Sequence, residues 1–403
     1  MKFLHCADLH LGSRVSSREA SGLSLSEELV LALERILELA KEESVDLLLI
    51  AGDFFESAHM EPVLGRRVKS LFNKARSFPI LMVAGNHDPL MPRSPYETYL
   101  RDVENLYIFP AEQVSRVDFP DCQCSVYGAS FSSIYQREML LPQVDAEDKL
   151  PIHLGLVHGE VSAQASLYNL LDLNAIAESG LHYLAMGHIH LSNVSFPNIE
   201  CLTKMPPKGV EVNVPHAGDV AYAWPGCPQG KTFKEAGPKG VLIGEIDPED
   251  PKSSLRVRFI PIAYKNFEQV EIELPGEMPE EDISDLIQNK IAEQFGETAA
   301  RHIYRIYLRG RDQGEHMDLS AIETRVSRHY AHVRLLDERE PQLNLQALEE
   351  EASLRGAFVR LLQNEMDQCE DEAQRSYLLD VLKMGLRAFD GEAKNDVRTR
   401  NLH

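Results

Sequence analysis

Long apolar runs are missing from this sequence of 403 residues. No stretch approaches the length of about 20 residues that an α-helix needs to cross a bilayer. The opening residues, from Met1 to Asp8, turn polar too soon for the apolar centre of a signal peptide. The sequence therefore predicts a soluble chain with a cytoplasmic location.

Paired cysteines and an excess of basic residues are missing as well. The six cysteines form no C-x-x-C pair, and Cys122-x-Cys124 alone is poorly spaced for a tetrahedral zinc site. We therefore expect reduced, mostly buried thiols. Asp and Glu (63) outnumber Lys and Arg (41), which gives a formal net charge of −22. Because proteins that grip phosphate backbones unaided are usually basic, a nucleic-acid substrate would need attraction from metal ions or a partner.

The first part of the chain alternates strand and helix signals, which predicts an α/β fold. A capping box at Ser24–Glu27 precedes a helix of four or five turns, and a second helix is predicted over Val63–Arg76. Short apolar runs that end at glycine or polar residues are typical of buried strands. Such runs are found at Lys2–Ala7, Val45–Ala51, Ile80–Ala84, Ile152–Val157 and Tyr183–Met186.

The later part of the chain predicts further domains, since 403 residues exceed one compact core. After a loop over Asn198–His216, closing strands are predicted at Val241–Ile246 and Leu255–Ile262. The next segment alternates as β-α-β-α-β, and residues 343–389 are helical by pattern, with a break near 367–372. We predict a domain over 1–264, a small α/β domain over 265–340, a helical segment over 341–390 and a disordered tail over 391–403.

Five short polar blocks follow the predicted strands. Each block offers carboxylate, imidazole or amide groups, a donor set that suits Mn²⁺, Fe²⁺ or Zn²⁺. Taken singly, an Asp-x-His pair, a Gly-Asn-His-Asp turn or a lone histidine is usually structural or accidental. Together and in this order they predict one metal site. The blocks are Asp8-Leu9-His10, Gly52-Asp53, Gly85-Asn86-His87-Asp88, His158-Gly159 and Gly187-His188-Ile189-His190.

The chemistry of these blocks indicates a pair of metal ions. Asp53 directly follows a strand and a glycine, and its two carboxylate oxygens could bridge two cations. Metal ions about 3.5–4 Å apart clamp a phosphoryl group and hold a hydroxide for in-line attack. His87 is expected to contact the phosphate and protonate the leaving oxygen, and Asp88 to accept a hydrogen bond from that imidazole.

The blocks resemble the motifs of the calcineurin-like metallophosphoesterase superfamily, over roughly residues 1–262. This resemblance implies a β-sandwich of two mixed sheets flanked by helices. It also implies that one metal is held by Asp8, His10, Asp53 and His190. The other metal would then be held by Asp53, Asn86, His158 and His188.

Further details resemble the SbcD-like DNA repair exonuclease branch of that superfamily. They are the opening Phe3–Gly12 and the Gly-Asp-x-Phe form of the second block. The stretch Pro225–Glu235 is similar to the bacterial YhaO-type subgroup. Three features depart from the branch: Glu56 stands where histidine or aspartate is common, Cys227 replaces a small polar residue, and the 198–216 loop is long. We expect Cys227 to serve packing and the loop to be either a surface insertion or a modifier of substrate access.

The resemblance also implies partners. The small α/β domain would be a DNA-capping domain, and members of the branch bind a coiled-coil ATPase of the SbcC type through C-terminal helices. Apolar positions in 343–389, such as Leu354, Phe358 and Leu361, follow helical spacing, and so do Tyr377 and Val381. These faces either bind such a partner or pack against their own chain. The expected partners also include a second copy of this chain, in a homodimer.

Three functions follow from these observations. The first is a manganese-dependent DNA exonuclease with some endonuclease activity, which hydrolyses phosphodiester bonds in DNA repair through a hydroxide held by two metals. The second is a phosphodiesterase acting on nucleotides or other small phosphoesters, which the acidity of the chain favours. The third is a non-catalytic subunit that tethers DNA ends to an ATPase.

Overall fold

The computed structural model describes residues 1–13, 25–162, 164–198, 205–206, 208–276, 278–312, 317–341, 345–369 and 371–389. Three sequence predictions fall partly or wholly outside these ranges. They concern Ser24 of the capping box, part of the 198–216 loop, and the tail from Gly391.

Two mixed β-sheets form the first part of the fold and confirm the predicted fold class. The first sheet has seven strands in the order β4-β3-β2-β1-β12-β13-β9, and the second has six in the order β10-β11-β8-β7-β6-β5. The strands are β1 (Lys2–Cys6), β2 (Leu47–Ala51), β3 (Ile80–Val83), β4 (Leu106–Ile108), β5 (Ser115–Phe119), β6 (Cys124–Gly128), β7 (Ile152–His158), β8 (Tyr183–Gly187), β9 (Val210–Val212), β10 (His216–Ala217), β11 (Val220–Ala223), β12 (Gly240–Glu245) and β13 (Arg256–Pro261).

Strand direction brings the polar blocks to one region. In the first sheet β1, β2, β3 and β4 are parallel neighbours, and in the second sheet β6, β7, β8 and β11 are parallel neighbours. The remaining strands of both sheets pair antiparallel. Since parallel strands end at the same edge, the loops after β1, β2 and β3 are brought together, as are those after β7 and β8.

The apolar runs become strands that are buried on both faces. In β2, Leu48 and Ile50 pack in one core with helix α1 (Leu25–Glu42), as expected from the alternation of side chains along a strand. Its other face, with Leu49 and Ala51, packs in a second core with residues of β7 and β8. Helices α2 (Pro62–Lys74) and α3 (Leu173–Glu178) complete this part of the fold.

The small α/β region follows the predicted β-α-β-α-β order. It consists of β14 (Phe267–Leu274), α4 (Glu280–Phe295), β15 (Ile303–Asp312), α5 (Leu319–Val326) and β16 (His332–Asp337). The strand order is β14-β15-β16, and the short strand β17 (Glu340–Pro341) pairs with β15. The chain divides into two compact units, and the first contains both large sheets with most of this region. The boundaries at 264 and 340 stay predictions.

The second compact unit contains three C-terminal helices: α6 (Leu345–Glu350), α7 (Leu354–Asp367) and α8 (Glu372–Phe389). The predicted break near 367–372 is confirmed. Phe358, Leu362, Leu378, Val381 and Leu382 pack into one cluster of this unit, so part of each apolar face is covered by its own chain. None of the helices in the described part of the chain combines the length and apolar character needed to cross a membrane.

The prediction of an irregular loop over 198–216 was wrong at its end. Residues Val210–Val212 form β9, which pairs with β13, and His216 begins β10. Both strands are at sheet edges and have only two or three residues, too few to show a period in the sequence.

Candidate metal centre

The predicted site residues lie at the ends of five strands that carry them toward one another. Asp8 and His10 follow β1, Asp53 follows β2, and Asn86 follows β3. His158 is the last residue of β7, and His188 and His190 follow β8. The structure therefore brings together the seven residues that sequence analysis proposed as metal ligands.

An unusual backbone directs these side chains inward. Asp8, His10, Asp53 and His188 all have positive φ, at 55°, 48°, 46° and 100°. Positive φ is uncommon outside glycine, although Asp and His adopt it more often than most residues. Gly187 is required for a different reason, namely close packing: a Cβ there would lie 1.8 Å from the Ala51 carbonyl oxygen. These constraints explain why each block has a glycine or a turn-tolerant residue.

The first half of the centre consists of Asp8, His10, His190 and one oxygen of Asp53. The Nε2 atoms of His10 and His190 are 3.0 Å apart, and His10 Nε2 is 3.7 Å from Asp53 Oδ2. One ligand atom each from Asp8, His10 and His190 lies within 4.8 Å of the others. Two imidazole nitrogens and carboxylate oxygens thus converge on one small volume.

The second half of the centre consists of Asn86, His158, His188 and the other oxygen of Asp53. Asn86 Oδ1 is 3.0 Å from His158 Nε2 and 3.1 Å from His188 Nδ1. His158 Nε2 is also 3.5 Å from Asp53 Oδ1. Asp53 therefore presents one oxygen to each half, as a bridging carboxylate would.

Protonation states in the centre suit divalent cations. Burial lowers the pKa of His10 to about 4 and that of His188 to about 3, so both imidazoles are neutral near pH 7 with a lone pair available. Burial, with the nearby Asp53 charge, raises the pKa of Asp8 well above its usual range. A bound cation would offset this repulsion between buried carboxylates, so the donor set fits metal ions.

Groups behind the histidines fix which nitrogen faces the centre. His158 Nδ1 is 3.0 Å from the Ala51 carbonyl oxygen, so Nδ1 carries the proton and Nε2 faces inward. In the first half, His10 Nδ1 is 3.1 Å from Glu56 Oε2, and His190 Nδ1 is 2.6 Å from Glu235 Oε1. Glu56, whose role the sequence left open, thus lies against a proposed ligand.

His87 is located at the open side of the centre. Its imidazole is 40% exposed, and its ring centroid is 4.6 Å from that of His10. The His87 backbone N–H donates to Asp53 Oδ1 at 2.9 Å, and His87 Nδ1 is 3.2 Å from the Glu56 carbonyl oxygen. With Nδ1 occupied in this way, Nε2 is the atom that can meet a substrate.

The predicted hydrogen bond from the His87 imidazole to Asp88 is not formed, so this prediction was wrong. Asp88 is fully buried and accepts hydrogen bonds from the Gly85 and Phe55 N–H groups at 2.8 Å each. The Tyr96 hydroxyl also donates to it, at 2.5 Å. Burial, with the Asp53 charge, raises the pKa of Asp88 to about 7. Asp88 therefore braces the loops around the centre and does not orient the His87 ring.

Sequence reasoning assigned no role to Glu235, Lys231 or Tyr96. Glu235 and Lys231 belong to the stretch around Pro225–Glu235, which was singled out only as a resemblance. Glu235 Oε2 accepts from the Lys231 N–H at 2.6 Å, and Lys231 Nζ is 3.8 Å from Glu56 Oε2. Glu235 and Lys231 could have been identified from the sequence, because they are charged residues clustered in a stretch otherwise rich in glycine and proline. Cys227 is buried, as expected for a packing role.

Comparisons with known proteins agree with this geometry. Residues 1–192 match the family model described as calcineurin-like phosphoesterase. The chain is 26% identical over 257 residues to the uncharacterized metallophosphoesterase YhaO of Bacillus subtilis (strain 168), which covers 61% of this chain and 57% of that protein. It is 34% identical over 91 residues to the SbcD component of the nuclease SbcCD of Staphylococcus saprophyticus, which covers 22% of this chain and 23% of that protein.

The chain thus aligns with less than two thirds of either relative. A solved structure, TT1561 of Thermus thermophilus, is similar over 65% of this chain and 98% of that one, at 12% identity and a TM-score of 0.35. The family uses divalent metal ions to hydrolyse phosphoesters, and the site has the donor groups that such ions need. Residues 1–192 therefore form a calcineurin-like metallophosphoesterase domain.

Proposed function

We propose that this protein is a phosphoesterase, and specifically a manganese-dependent DNA phosphodiesterase, an exonuclease with some endonuclease activity that acts in DNA repair. The observation that carries the proposal is the two-part centre that shares Asp53 and has the exposed imidazole of His87 at its open side. The partial similarity to the SbcD component of a nuclease supports DNA as the substrate. Oxygen and imidazole donors without a thiolate among the proposed ligands support manganese.

The proposed ligand sets are those that the two halves of the centre suggest. Asp8, His10, Asp53 and His190 hold one cation, and Asp53, Asn86, His158 and His188 hold the other. Bound divalent cations activate water and neutralise the charge that develops on phosphate. The protein itself fixes both sets of donors, and the buried loops around them exclude bulk water.

His87 is proposed to supply the proton for the leaving oxygen. Its backbone is held against Asp53 and its Nδ1 faces the Glu56 carbonyl oxygen, so the ring keeps a fixed direction. General-acid catalysis requires such a group within hydrogen-bond reach of the leaving atom, and His87 Nε2 is free to approach a bound phosphodiester. Asp88 acts on this step indirectly, because it holds the Gly85 end of the same loop.

A partner is part of the same proposal. The net charge of −22 opposes DNA binding, so a coiled-coil ATPase of the SbcC type would supply basic surface. On the C-terminal helices, Leu354 is 76% exposed, Tyr377 67%, Met384 65% and Leu361 61%. Such exposed apolar groups are suited to a protein partner or a homodimer contact. A cytoplasmic location is proposed together with this partner.

The test is digestion of end-labelled duplex and single-stranded DNA with Mn²⁺, with and without an ATPase partner. We expect release of short products by the wild type and by the exposed-site control Asp219→Asn, and no product from Asp53→Asn. Hydrolysis of a small phosphodiester without any DNA cleavage would reject the DNA assignment but keep the phosphoesterase.

That result would favour the second candidate, a phosphodiesterase for nucleotides or other small phosphoesters. The acidity of the chain supports this candidate, because small substrates gain little from a basic surface. The third candidate, a non-catalytic subunit that tethers DNA ends, would show DNA binding and no hydrolysis of either substrate. The complete set of seven donors makes this third candidate the weakest of the three.

A further inference from the structure

Glu235 occupies the side of His190 that faces away from the metal centre. Its Oε1 is 2.6 Å from His190 Nδ1, while His190 Nε2 points at His10 Nε2 from the opposite side of the ring. The Glu235 side chain is almost fully buried, and its other oxygen accepts from the Lys231 N–H at 2.6 Å. Both carboxylate oxygens are therefore engaged, and one of them holds the histidine.

We propose that Glu235 is a positioning residue that presents His190 Nε2 to the first metal, and that the small α/β region holds Glu235 in place through Phe233. This inference rests on the proposed metal centre. A carboxylate that accepts from Nδ1–H fixes the tautomer and direction of a metal-binding imidazole. Glu235 lies 45 residues further along the chain than His190. The segment that carries Glu235 must therefore itself be held in place near His190.

The carrier is a short turn, Phe233–Glu235, whose first residue is anchored in the small α/β region. The Phe233 ring packs edge-on against Phe267 of β14 at a centroid distance of 5.1 Å. The Arg305 guanidinium of β15 lies over the same ring, 4.1 Å from its centroid. Gln269 donates to the Phe233 carbonyl oxygen at 3.2 Å. The phenyl ring and the main chain of Phe233 are thus fixed by an aromatic ring, a cation and a hydrogen bond.

The turn itself is stiff, so a shift at Phe233 must reach Glu235. Thr232 accepts from the Lys234 N–H through its hydroxyl, and its carbonyl oxygen accepts from the Glu235 N–H at 3.0 Å. The Lys239 ammonium donates to the His190 carbonyl oxygen at 3.0 Å. The imidazole and the main chain of His190 are therefore both held by residues of the 231–239 segment.

The first experiment measures Mn²⁺ binding by isothermal titration and by electron paramagnetic resonance of the full chain. We expect two sites in the wild type and a loss of affinity of about 10- to 100-fold at one site in Glu235→Ala. Glu235→Gln keeps an acceptor for Nδ1–H and should fall between them. The matched control is Asp148→Asn, which removes a carboxylate 3.5 Å from another histidine, His153, and should leave both sites unchanged.

A double-mutant cycle separates positioning from general destabilisation. His190→Ala should weaken the same site, and adding Glu235→Ala to it should cost no further affinity, because Glu235 then has no imidazole to hold. Additive losses would overturn the proposal. A wild type that binds no metal would instead refute the proposed function, whereas two unchanged sites in Glu235→Ala would refute the positioning role alone.

The second experiment tests the anchor. Phe233→Ala should lower Mn²⁺ affinity at the site that Glu235→Ala affects, while Phe233→Leu, which keeps most of the apolar contact, restores it in part. Phe196→Ala removes a comparable ring that pairs with Phe259 and serves as the control. A folded Phe233→Ala variant with wild-type affinity at both sites would show that the small α/β region does not set Glu235.

Discussion

The two halves of the metal centre are built from the same kinds of ligand but are supported differently. In the first half, each histidine has a carboxylate close to its Nδ1. Glu56 lies 3.1 Å from His10, and Glu235 lies 2.6 Å from His190. Because a carboxylate makes its histidine a stronger electron donor, the first half should bind a cation more tightly.

The second half has weaker support behind its rings. His158 Nδ1 faces the neutral Ala51 carbonyl oxygen at 3.0 Å. His188 Nδ1 faces Asn86 in the centre, and the carboxylate oxygen of Glu160 is 3.9 Å from the opposite nitrogen, Nε2, which is beyond hydrogen-bond distance. Apart from the shared Asp53, neither histidine of this half therefore has a carboxylate within hydrogen-bond distance.

This difference predicts that the two proposed cations bind with unequal affinity. The first half gains electrostatic attraction but depends on side chains that mutation can remove. The second half takes its support for His158 from the main chain of β2, which no substitution deletes. The first cation to bind should therefore occupy the first half, and the second half should fill only at higher metal concentration.

The most severe change removes what the two halves share. Asp53→Ala should abolish high-affinity metal at both positions and lower phosphodiester turnover by roughly a thousandfold or more. Metal content after dialysis and turnover of a small phosphodiester measure the two effects. If one metal position keeps its affinity, the bridging role of Asp53 is wrong.

A large effect is also expected where metal binding is left intact. His87→Ala should keep two bound cations but lower turnover by about 100- to 1,000-fold, because the leaving oxygen loses its proton donor. The measurement pairs metal titration with turnover, using a substrate whose leaving group needs no protonation as an internal control. Equal losses on good and poor leaving groups would contradict a proton-donor role.

An intermediate effect is expected at Glu268 of β14, the strand whose Phe267 packs against Phe233. Glu268 is almost fully buried, and burial raises its pKa to about 7, against the opposing influence of Asn266 and Lys239. Its ionisation is disfavoured in the folded state, so this group costs nothing below its unfolded pKa near 4.5 and destabilises the fold as pH rises through 7.

Glu268→Gln should therefore match the wild type in the free energy of unfolding near pH 4.5 and exceed it by about 3 kcal/mol at pH 8.5, since one pKa unit corresponds to about 1.4 kcal/mol. Urea denaturation of the metal-free protein at several pH values measures this difference. A difference that does not change with pH would show that Glu268 does not titrate in this range.

The smallest expected effect concerns Glu56, which is more exposed than Glu235. Glu56→Gln should weaken Mn²⁺ at the first half by about tenfold, at the lower end of the range for such supporting groups, since 36% of the side chain is solvent accessible. Competition with a metal-sensitive dye measures the affinity of each half. A loss confined to the second half would reverse the comparison between them.

The parts of the fold that the sequence predicts are those with a strong local pattern. The apolar runs of β2 and β3 pack on both faces, so they appear as uninterrupted hydrophobic stretches. Helix α1 buries one regular face through Leu29, Leu33 and Ile36, which gives a clear helical period. The metal blocks could be located for a related reason, because each one begins where such a strand ends.

What could not be predicted depends on contacts between distant residues. β4 is only half-buried and three residues long, so nothing in its sequence marks it as a strand. Asp88 was paired with the adjacent His87, whereas its closest partner is the Tyr96 hydroxyl. Glu235 meets His190 only after the chain has formed β11 and turned back. Local spacing carries no information on such pairings.

The positive φ angles of Asp8, His10, Asp53 and His188 also limit how this site can evolve. Glycine would relax the backbone at each position but would delete the donor atom, and β-branched residues would add strain without supplying a ligand. Strain of this kind costs of order 1–3 kcal/mol per residue, and it persists only where the surroundings enforce it. Relatives that no longer need metal should therefore replace these four residues early. The presence of all four in a related sequence would indicate that its metal centre is still used.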